Sequence, residues 1–236
     1  MANKEIIKAE NIVKRYHMGG REVVAVDKIS FSIYEGEFVV ILGPSGAGKT
    51  TILNLLGGMD TISSGNLTSS EVSLKKISDK SLTRYRRNKV GFVFQFYNLI
   101  PNLTALENVE LATELCKNHL PCEKVMTQVG LNDRMNYFPS QLSGGEQQRV
   151  SIARAVAKNP DILLCDEPTG ALDYETGKKI LGLLYDICKQ ENKAVIVVTH
   201  NSAIKEMADR VIHIKNGKIV AEETNEKPKD IEDIEW

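Results

Sequence analysis

An apolar run that leads into a glycine-rich loop and then a helix constrains the fold of this chain more than any other feature. The run EFVVILG (Glu37 to Gly43) is typical of a parallel strand that is covered on both faces. It leads into GPSGAGKT (Gly43 to Thr50), and Lys49 to Leu56 has helical character. This order of strand, loop and helix is the context in which the pattern G-x-x-x-x-G-K-[ST] binds phosphate. It predicts an α/β domain.

Three further apolar runs support a mostly parallel sheet, because predicted helices separate them. The runs are VGFVFQ (Val90 to Gln95), DILLCDE (Asp161 to Glu167) and AVIVVTH (Ala194 to His200). Helices are predicted over Thr104 to Asn118, Glu123 to Val129, the segment from Gly144 to Lys158, and near Thr176 to Gln190. The segment 60–82 is polar and rich in turn-forming residues.

Antiparallel patterns flank this core. Residues 5–16 and the alternating strand around Phe31 are expected to form an N-terminal antiparallel layer, joined by a loop at Met18 to Glu22. The segment Arg210 to Glu223 predicts a hairpin, since Asn216-Gly217 favours a type I′ turn. We expect one domain over residues 5–222 and an acidic, flexible tail over 223–236.

Composition excludes several classes of partner. The 236 residues suffice for one large domain, and the net charge of −1 gives no sign of a nucleic-acid partner. The four cysteines lack ligand spacing, which favours reduced thiols over a disulfide framework or a metal site. No apolar stretch approaches the roughly 20 residues that span a bilayer, so a membrane role requires a partner.

The glycine-rich loop is the first candidate binding site. Its glycines let backbone N–H groups close around the β- and γ-phosphates of a nucleotide, and the N-terminus of the following helix attracts the same anions. Lys49 is expected to reach these phosphates, and the Thr50 hydroxyl to bind Mg²⁺. An ordinary glycine-rich turn is the alternative, but the flanking strand and helix argue against it. The candidate contacts are Gly43, Pro44, Ser45, Gly46, Ala47, Gly48, Lys49, Thr50 and Thr51.

Polar residues close the other three predicted strands, and parallel strands bring such residues to one ligand-binding edge of a sheet. Asp166 suits a Mg²⁺ ligand, and Glu167 suits the general base that polarises water. His200 is expected to contact the γ-phosphate and to orient Glu167, while Gln95 lies at the same edge. A solvated Asp-Glu turn and a structural histidine are the alternatives for the isolated residues. The convergence of these polar residues at one edge of the sheet favours a catalytic site.

A second glycine-rich sequence, LSGGEQQRV (Leu142 to Val150), lacks the lysine of a nucleotide-binding loop. Ser143, Gly144 and Gly145 at a helix N-terminus form an anion cradle that must find its phosphate elsewhere. ATP held by a second copy of the chain satisfies this requirement.

With these motifs the chain resembles the ATP-binding cassette (ABC) ATPases over residues 5–222. The resemblance implies a P-loop NTPase fold with a RecA-like core, an N-terminal antiparallel β layer and a helical subdomain inserted at about 96–158. It implies ATP hydrolysis with Mg²⁺ between two copies that sandwich the nucleotide. The sequence LSGGE argues against the alternative of a small-molecule P-loop kinase, because it has no function in such an enzyme.

The family's site residues carry over by motif. Gly43 to Thr50 resembles Walker A, Leu142 to Glu146 the signature, and Ile162 to Asp166 Walker B. Gln95 resembles the Q-loop glutamine, which is a catalytic and metal-binding candidate. The remaining matches are Glu167 to the catalytic glutamate, Asp173 to the D-loop, His200 to the switch histidine, and Tyr16 to the aromatic that stacks on adenine. An ordinary strand aromatic is the alternative for Tyr16.

Two segments, Gly91 to Val109 and Asp166 to Asp173, resemble the subgroup that serves macrolide export, lipoprotein release and antimicrobial-peptide detoxification. The resemblance implies a four-helix permease with a large extracytoplasmic domain, and a subunit held at the cytoplasmic side of the cell membrane through that permease. The segment Ser63 to Leu74 lacks the glycine usual in its hairpin, and the helical insert is short. A regulatory ATPase of a cell-division or peptide-sensing complex, without transport, is the alternative; only the partner separates the two.

Overall fold

A six-stranded sheet positions the predicted site in this computed structural model, which describes residues 4–234. Its strand order is β10-β9-β3-β8-β7-β6. All neighbours from β9 to β6 pair in parallel, and only β10 pairs antiparallel with β9. These strands are β3 (Phe38–Leu42), β6 (Val90–Val93), β7 (Ile162–Asp166), β8 (Ala194–Thr199), β9 (Arg210–Lys215) and β10 (Lys218–Thr224). The predicted α/β class is confirmed.

A second sheet is antiparallel, with the order β2-β1-β4-β5. It consists of β1 (Glu5–Met18), β2 (Arg21–Tyr34), β4 (Ser64–Ser69) and β5 (Val72–Ser73). Ser70 and Glu71 turn between β4 and β5 with φ values of 46° and 66°. This left-handed region favours glycine, so the hairpin without its usual glycine forms here with two strained non-glycine residues.

The six-stranded sheet lies between two apolar clusters, because successive side chains of a strand point to opposite faces. On one face, Phe38 and Val40 pack with the helices α3 (Ala105–Thr113), α4 (Cys122–Gln128), α5 (Gly144–Ala157) and α6 (Tyr174–Gln190). On the other face, Val39 and Ile41 pack with the antiparallel sheet and with the helices α1 (Lys49–Leu56) and α2 (Asp79–Asn88). None of the helices within residues 4–234 combines the length and apolar character that crossing a bilayer requires.

Some boundaries differ from the sequence-based expectations. Helix α2 begins inside the polar segment 60–82, and it buries only Leu82 and Tyr85, so its sequence shows no repeating apolar face. Ser78 caps its N-terminus. Helix α3 is shorter than predicted at its C-terminal end, and β6 ends two residues before Gln95.

The described part of the predicted tail packs against the domain. Residues 225–234, which we call the C-terminal strap, cross from the end of β10 to α6. The Asn225 side chain donates to the carbonyl oxygen of Lys205 (2.9 Å), and the Tyr174 hydroxyl donates to that of Ile234 (2.8 Å). Ile234 is fully buried. The expectation of a flexible tail therefore differs from the structure up to Ile234, and residues 235–236 lie outside the described range.

Replacing Ile234 with Ala tests this packing. We expect the unfolding temperature to fall by about 4–8 °C, since removing a buried Ile costs at least about 2 kcal/mol. Calorimetry measures the change, and Ile231→Ala, at a half-buried neighbour, is expected to cost less. An unchanged unfolding temperature for Ile234→Ala contradicts the packed strap.

Candidate functional site

The glycine-rich loop connects β3 to α1 and is packed too closely for side chains at two of its glycines. Gly48 has a φ of 103°, and a Cβ there would lie 2.3 Å from the carbonyl oxygen of Ala25. A Cβ on Gly43 would lie 2.2 Å from the carbonyl oxygen of Ile214. Glycine at these positions lets the loop rest against the neighbouring strands. Such a backbone, before a helix N-terminus, is suited to holding phosphate.

Lys49 supplies a cation to this loop. Its ammonium donates to the carbonyl oxygens of Gly43 (2.8 Å) and Pro44 (3.1 Å), and the residue is buried. Ser45 and Gly46 are exposed at the tip of the loop, whereas the Ala47 side chain is buried in the core. Ala47 can therefore contribute only its backbone to a ligand.

An acidic edge faces the loop across β8. The Thr50 hydroxyl donates to Asp166 Oδ1 over 3.4 Å, a long hydrogen bond between the start of α1 and the end of β7. Burial raises the pKa of the Asp166 carboxyl. Hydroxyl and carboxylate oxygens are ligands that Mg²⁺ accepts, so this donor set fits the ion. Gln95 lies farther along the edge, beside Gly170, where a Cβ on the glycine would be 3.1 Å from Gln95 Nε2.

Glu167 and His200 are brought into contact. His200 Nδ1 lies 2.9 Å from Glu167 Oε1, and the Glu167 backbone N–H donates to the Val198 carbonyl oxygen (2.9 Å). Glu167 has a φ of 48°, in the left-handed region that glutamate rarely adopts. Strained backbone of this kind persists where surrounding contacts hold it, and it clusters at functional sites.

Thr199 is a site residue that the sequence prediction missed. Its hydroxyl donates to Glu167 Oε2 over 3.1 Å. The available signal was a hydroxyl residue at the end of an otherwise apolar strand, immediately before His200. Threonine is common in strands, so this signal is weak.

The signature residues form a capped helix N-terminus. The Ser143 hydroxyl accepts from the Glu146 backbone N–H (3.3 Å), and the Ser143 N–H donates to Glu146 Oε2 (2.8 Å), which holds the pKa of Glu146 below its usual range. Arg134 binds the other carboxylate oxygen at 3.0 Å. The Glu146 carboxylate, expected to contact nucleotide, is thus engaged within the chain.

The glycines of the signature pack against neighbouring segments. A Cβ on Gly144 would lie 2.8 Å from the Tyr97 hydroxyl, and one on Gly145 would lie 2.3 Å from Thr176 Cγ2. Asp173 caps α6 by accepting from the Thr176 backbone N–H (3.1 Å). The start of α5 therefore rests on the start of α6.

Tyr16 lies at the end of β1 and is fixed through its hydroxyl. That hydroxyl donates to Asp60 Oδ2 (2.7 Å), and the Lys14 ammonium lies 4.8 Å from the ring centroid. Burial raises the pKa of Tyr16, and its hydroxyl also interacts with Thr51 beside the glycine-rich loop. The structure thus places Tyr16 next to the loop.

The two anion cradles are separate within one chain. Among residues 4–234, no hydrogen bond or ion pair joins Ser143–Glu146 to Gly43–Thr51. Within this part of the chain, polar contacts therefore do not link the two cradles.

Replacing Asp166 with Asn is expected to raise the unfolding temperature at pH 7 by roughly 1–3 °C. Burial raises the pKa of Asp166 above its unfolded-state value, so at higher pH the ionised carboxylate destabilises the folded state. As the pH falls through the raised pKa, the folded carboxyl is protonated and the penalty disappears. The side chain is only partly buried, and solvent screening keeps the gain below about 1 kcal/mol.

Calorimetry at pH 7 and at about pH 4 measures this difference between Asp166→Asn and the parent. Asp173→Asn is the matched control. The Thr176 N–H lowers the pKa of Asp173, so this variant gains no stability at pH 7. An equal gain for Asp166→Asn at both pH values contradicts the explanation by a buried charge.

Comparisons with known proteins find relatives that match nearly the whole chain. A family model described as ABC transporter matches residues 26–170. An uncharacterized ABC transporter ATP-binding protein of Methanocaldococcus jannaschii, MJ0796, is 45% identical over 230 residues, which cover 92% of this chain and 97% of the relative. A protein of Mycobacterium tuberculosis with the same description is 39% identical over 235 residues, covering 98% of this chain and 95% of the relative.

Solved structures of MJ0796 superpose closely on this chain. The dimer in a post-hydrolysis state, bound to ADP and phosphate, has a TM-score of 0.85 at 42% identity, and the match covers 93% of this chain and 98% of the other. A further dimeric structure of the same cassette gives the same values.

Proposed function

The chain belongs to the ABC transporter family of ATP-binding cassettes, and we propose that its ATPase cycle drives a membrane permease that exports or extracts its substrate. It binds and hydrolyses ATP as a dimer, in keeping with the MJ0796 dimer that holds ADP and phosphate. The observation that carries the proposal is the pair of separate cradles, each of which is half of a nucleotide site. Two copies arranged head to tail complete two sites.

Residues of the first cradle bind the nucleotide. The loop N–H groups and Lys49 hold the β- and γ-phosphates, and Tyr16 packs against the adenine. Thr50 and Asp166 would hold Mg²⁺, with Gln95 as a further ligand, and the bound ion would neutralise charge on the phosphates. The contact between Thr50 and Asp166 supports this assignment.

Glu167 acts as the general base for the attacking water, and His200 orients it and contacts the γ-phosphate. The signature of the second copy closes the site, with the N–H groups of Ser143, Gly144 and Gly145 directed at the γ-phosphate. Asp173 supports this closure by capping α6, on which Gly145 packs.

Exposed apolar side chains follow Gln95 along the chain and suit contact with a permease. Phe96 is 74% exposed and Leu115 is 66% exposed, and Ile100 and Leu111 are exposed between them in the sequence. Arg154 fixes the backbone just after Phe96 by donating to the carbonyl oxygens of Tyr97 (2.9 Å) and Asn98 (2.6 Å). Subunits of this family generally attach to a permease at the cytoplasmic side of the membrane. We assign a four-helix permease with a large extracytoplasmic domain, on the subgroup's motifs. No observation favours the regulatory alternative.

Affinity capture tests the proposal. Glu167→Gln is purified from native membranes with MgATP, and the proteins that bind it are identified. A second bait carries Phe96→Asp in addition; it is expected to dimerise and to lose the permease, because a charge enters an apolar contact. A four-helix permease bound by the first bait alone supports the proposal. A partner without a translocation pathway overturns the transport role and leaves the ATPase.

A further inference from the structure

The hydroxyl of Thr199 forms hydrogen bonds with two partners at the end of β8. The backbone N–H of Asn201 donates to Thr199 Oγ1 over 3.0 Å, and Oγ1 lies 3.1 Å from Glu167 Oε2. A hydroxyl has one proton to donate. Because the Asn201 N–H is itself a donor, that proton is free to be donated to the Glu167 carboxylate.

Glu167 is held at both carboxylate oxygens by consecutive residues of one strand end. Thr199 binds Oε2, and His200 Nδ1 lies 2.9 Å from Oε1. The two partners differ in freedom, since Thr199 is 2% exposed whereas the side chain of His200 is 67% exposed. The threonine is therefore the fixed contact and the histidine the adjustable one.

We propose that Thr199 is a positioning residue for ATP hydrolysis: its buried hydroxyl holds the Glu167 carboxylate in its working orientation while His200 turns toward the nucleotide. The inference rests on the proposed role of Glu167 as the general base. The backbone contact from Glu167 to Val198 keeps the strained residue in register with β8, whereas the buried side chain of Thr199 acts directly on the reacting carboxylate.

A purely structural role is the competing explanation, since Thr199 also accepts from the turn that carries His200. Three variants separate the two roles. Thr199→Val removes the hydroxyl at nearly constant volume, Thr199→Ser keeps it, and Thr199→Cys keeps the size with a weaker donor. Thr113→Val is the matched control, because Thr113 is a buried threonine whose hydroxyl donates to a backbone carbonyl in α3.

ATP turnover is measured over a range of ATP concentrations for each variant. We expect Thr199→Val to lower kcat by roughly 10- to 100-fold with KM for ATP changed by less than about twofold. Thr199→Ser should recover kcat to within about threefold of the parent, Thr199→Cys should be intermediate, and Thr113→Val should retain parent kinetics.

A double variant links the effect to Glu167. Adding Thr199→Val to Glu167→Gln should cost no further turnover, because the hydroxyl acts only through the carboxylate. An unchanged kcat in Thr199→Val, or equal losses in Thr199→Val and Thr199→Ser, overturns the inference. If Thr199→Val does not fold, Thr199→Cys decides: parent kinetics overturn the inference, and a lower kcat with an unchanged KM supports it. If Glu167→Gln retains turnover, the assignment of Glu167 as the general base is wrong. If Glu167→Gln is inactive and Thr199→Val is unaffected, that assignment stands and only the role of Thr199 is rejected.

Discussion

We expect Glu167→Gln to lower ATP turnover by about 10²- to 10⁴-fold while ATP still binds, because the amide cannot accept a proton from the attacking water. The substitution changes little else. Glutamine has the same shape, and its carbonyl oxygen can still accept from the Thr199 hydroxyl. Lys49 and Thr50, the proposed nucleotide-binding groups of the first cradle, are not altered. ATP therefore persists between the two copies instead of being consumed.

The physical consequence is a stable dimer in MgATP. Light scattering after size exclusion, with and without MgATP, measures the mass, and phosphate release measures the turnover. Glu175→Gln is the control: it makes the same chemical change at an exposed position on α6 and should leave both measurements at parent values. A Glu167→Gln chain that stays monomeric at high concentration with MgATP contradicts the two-copy site.

Gly145→Ala is expected to lower turnover by at least about fivefold through the packing of the signature. A Cβ at this position would lie 2.3 Å from Thr176 Cγ2, so the start of α5 or the threonine must move. Overpacking of this kind typically costs 1–3 kcal/mol, which corresponds to roughly a 5- to 150-fold effect when the cost falls on closure of the dimer. ATP binding to the free chain, which uses the other cradle, should be unchanged.

A second substitution identifies the clash as the cause. Thr176→Ser removes Cγ2 and keeps the hydroxyl, so the double variant should recover most of the lost turnover. Gly182→Ala is the control in α6, where a Cβ would meet only Ile231 Cγ2 at 3.6 Å, an ordinary contact. Steady-state turnover and nucleotide titration are the measurements. Loss of turnover that Thr176→Ser does not rescue shows that steric contact with α6 is not the reason.

The features that sequence predicted best are those with strong apolar or glycine signals. The strands β3, β7 and β8 are continuous apolar runs, and a parallel sheet necessarily brings their ends, with Asp166 and His200, to one edge. Helix α2 was missed because its two buried residues make too short an apolar pattern.

The hydrogen-bond partners of side chains were harder to predict than the positions of the residues in the fold. The pattern Ser143-x-x-Glu146 is a capping box, and this signal, present in the sequence, explains why the Glu146 carboxylate turns back to its own helix. The strap was missed because most of its residues are charged, and because several of its contacts are made by the backbone carbonyls of Glu232 and Ile234. Those carbonyls carry no sequence signal.

The C-terminal strap joins two elements that each follow a functional turn. It holds the residues just after His200 through the side chain of Asn225 on Lys205, and it holds α6, which begins after Asp173, through Tyr174 and Lys178. When one end of the strap is released, the contacts at its other end become exposed to solvent. The segment 203–207 and the start of α6 should therefore open as one cooperative unit. In hydrogen exchange, the amides of 203–207 and of the first turn of α6 should then share one opening free energy, below that of the buried strands between them.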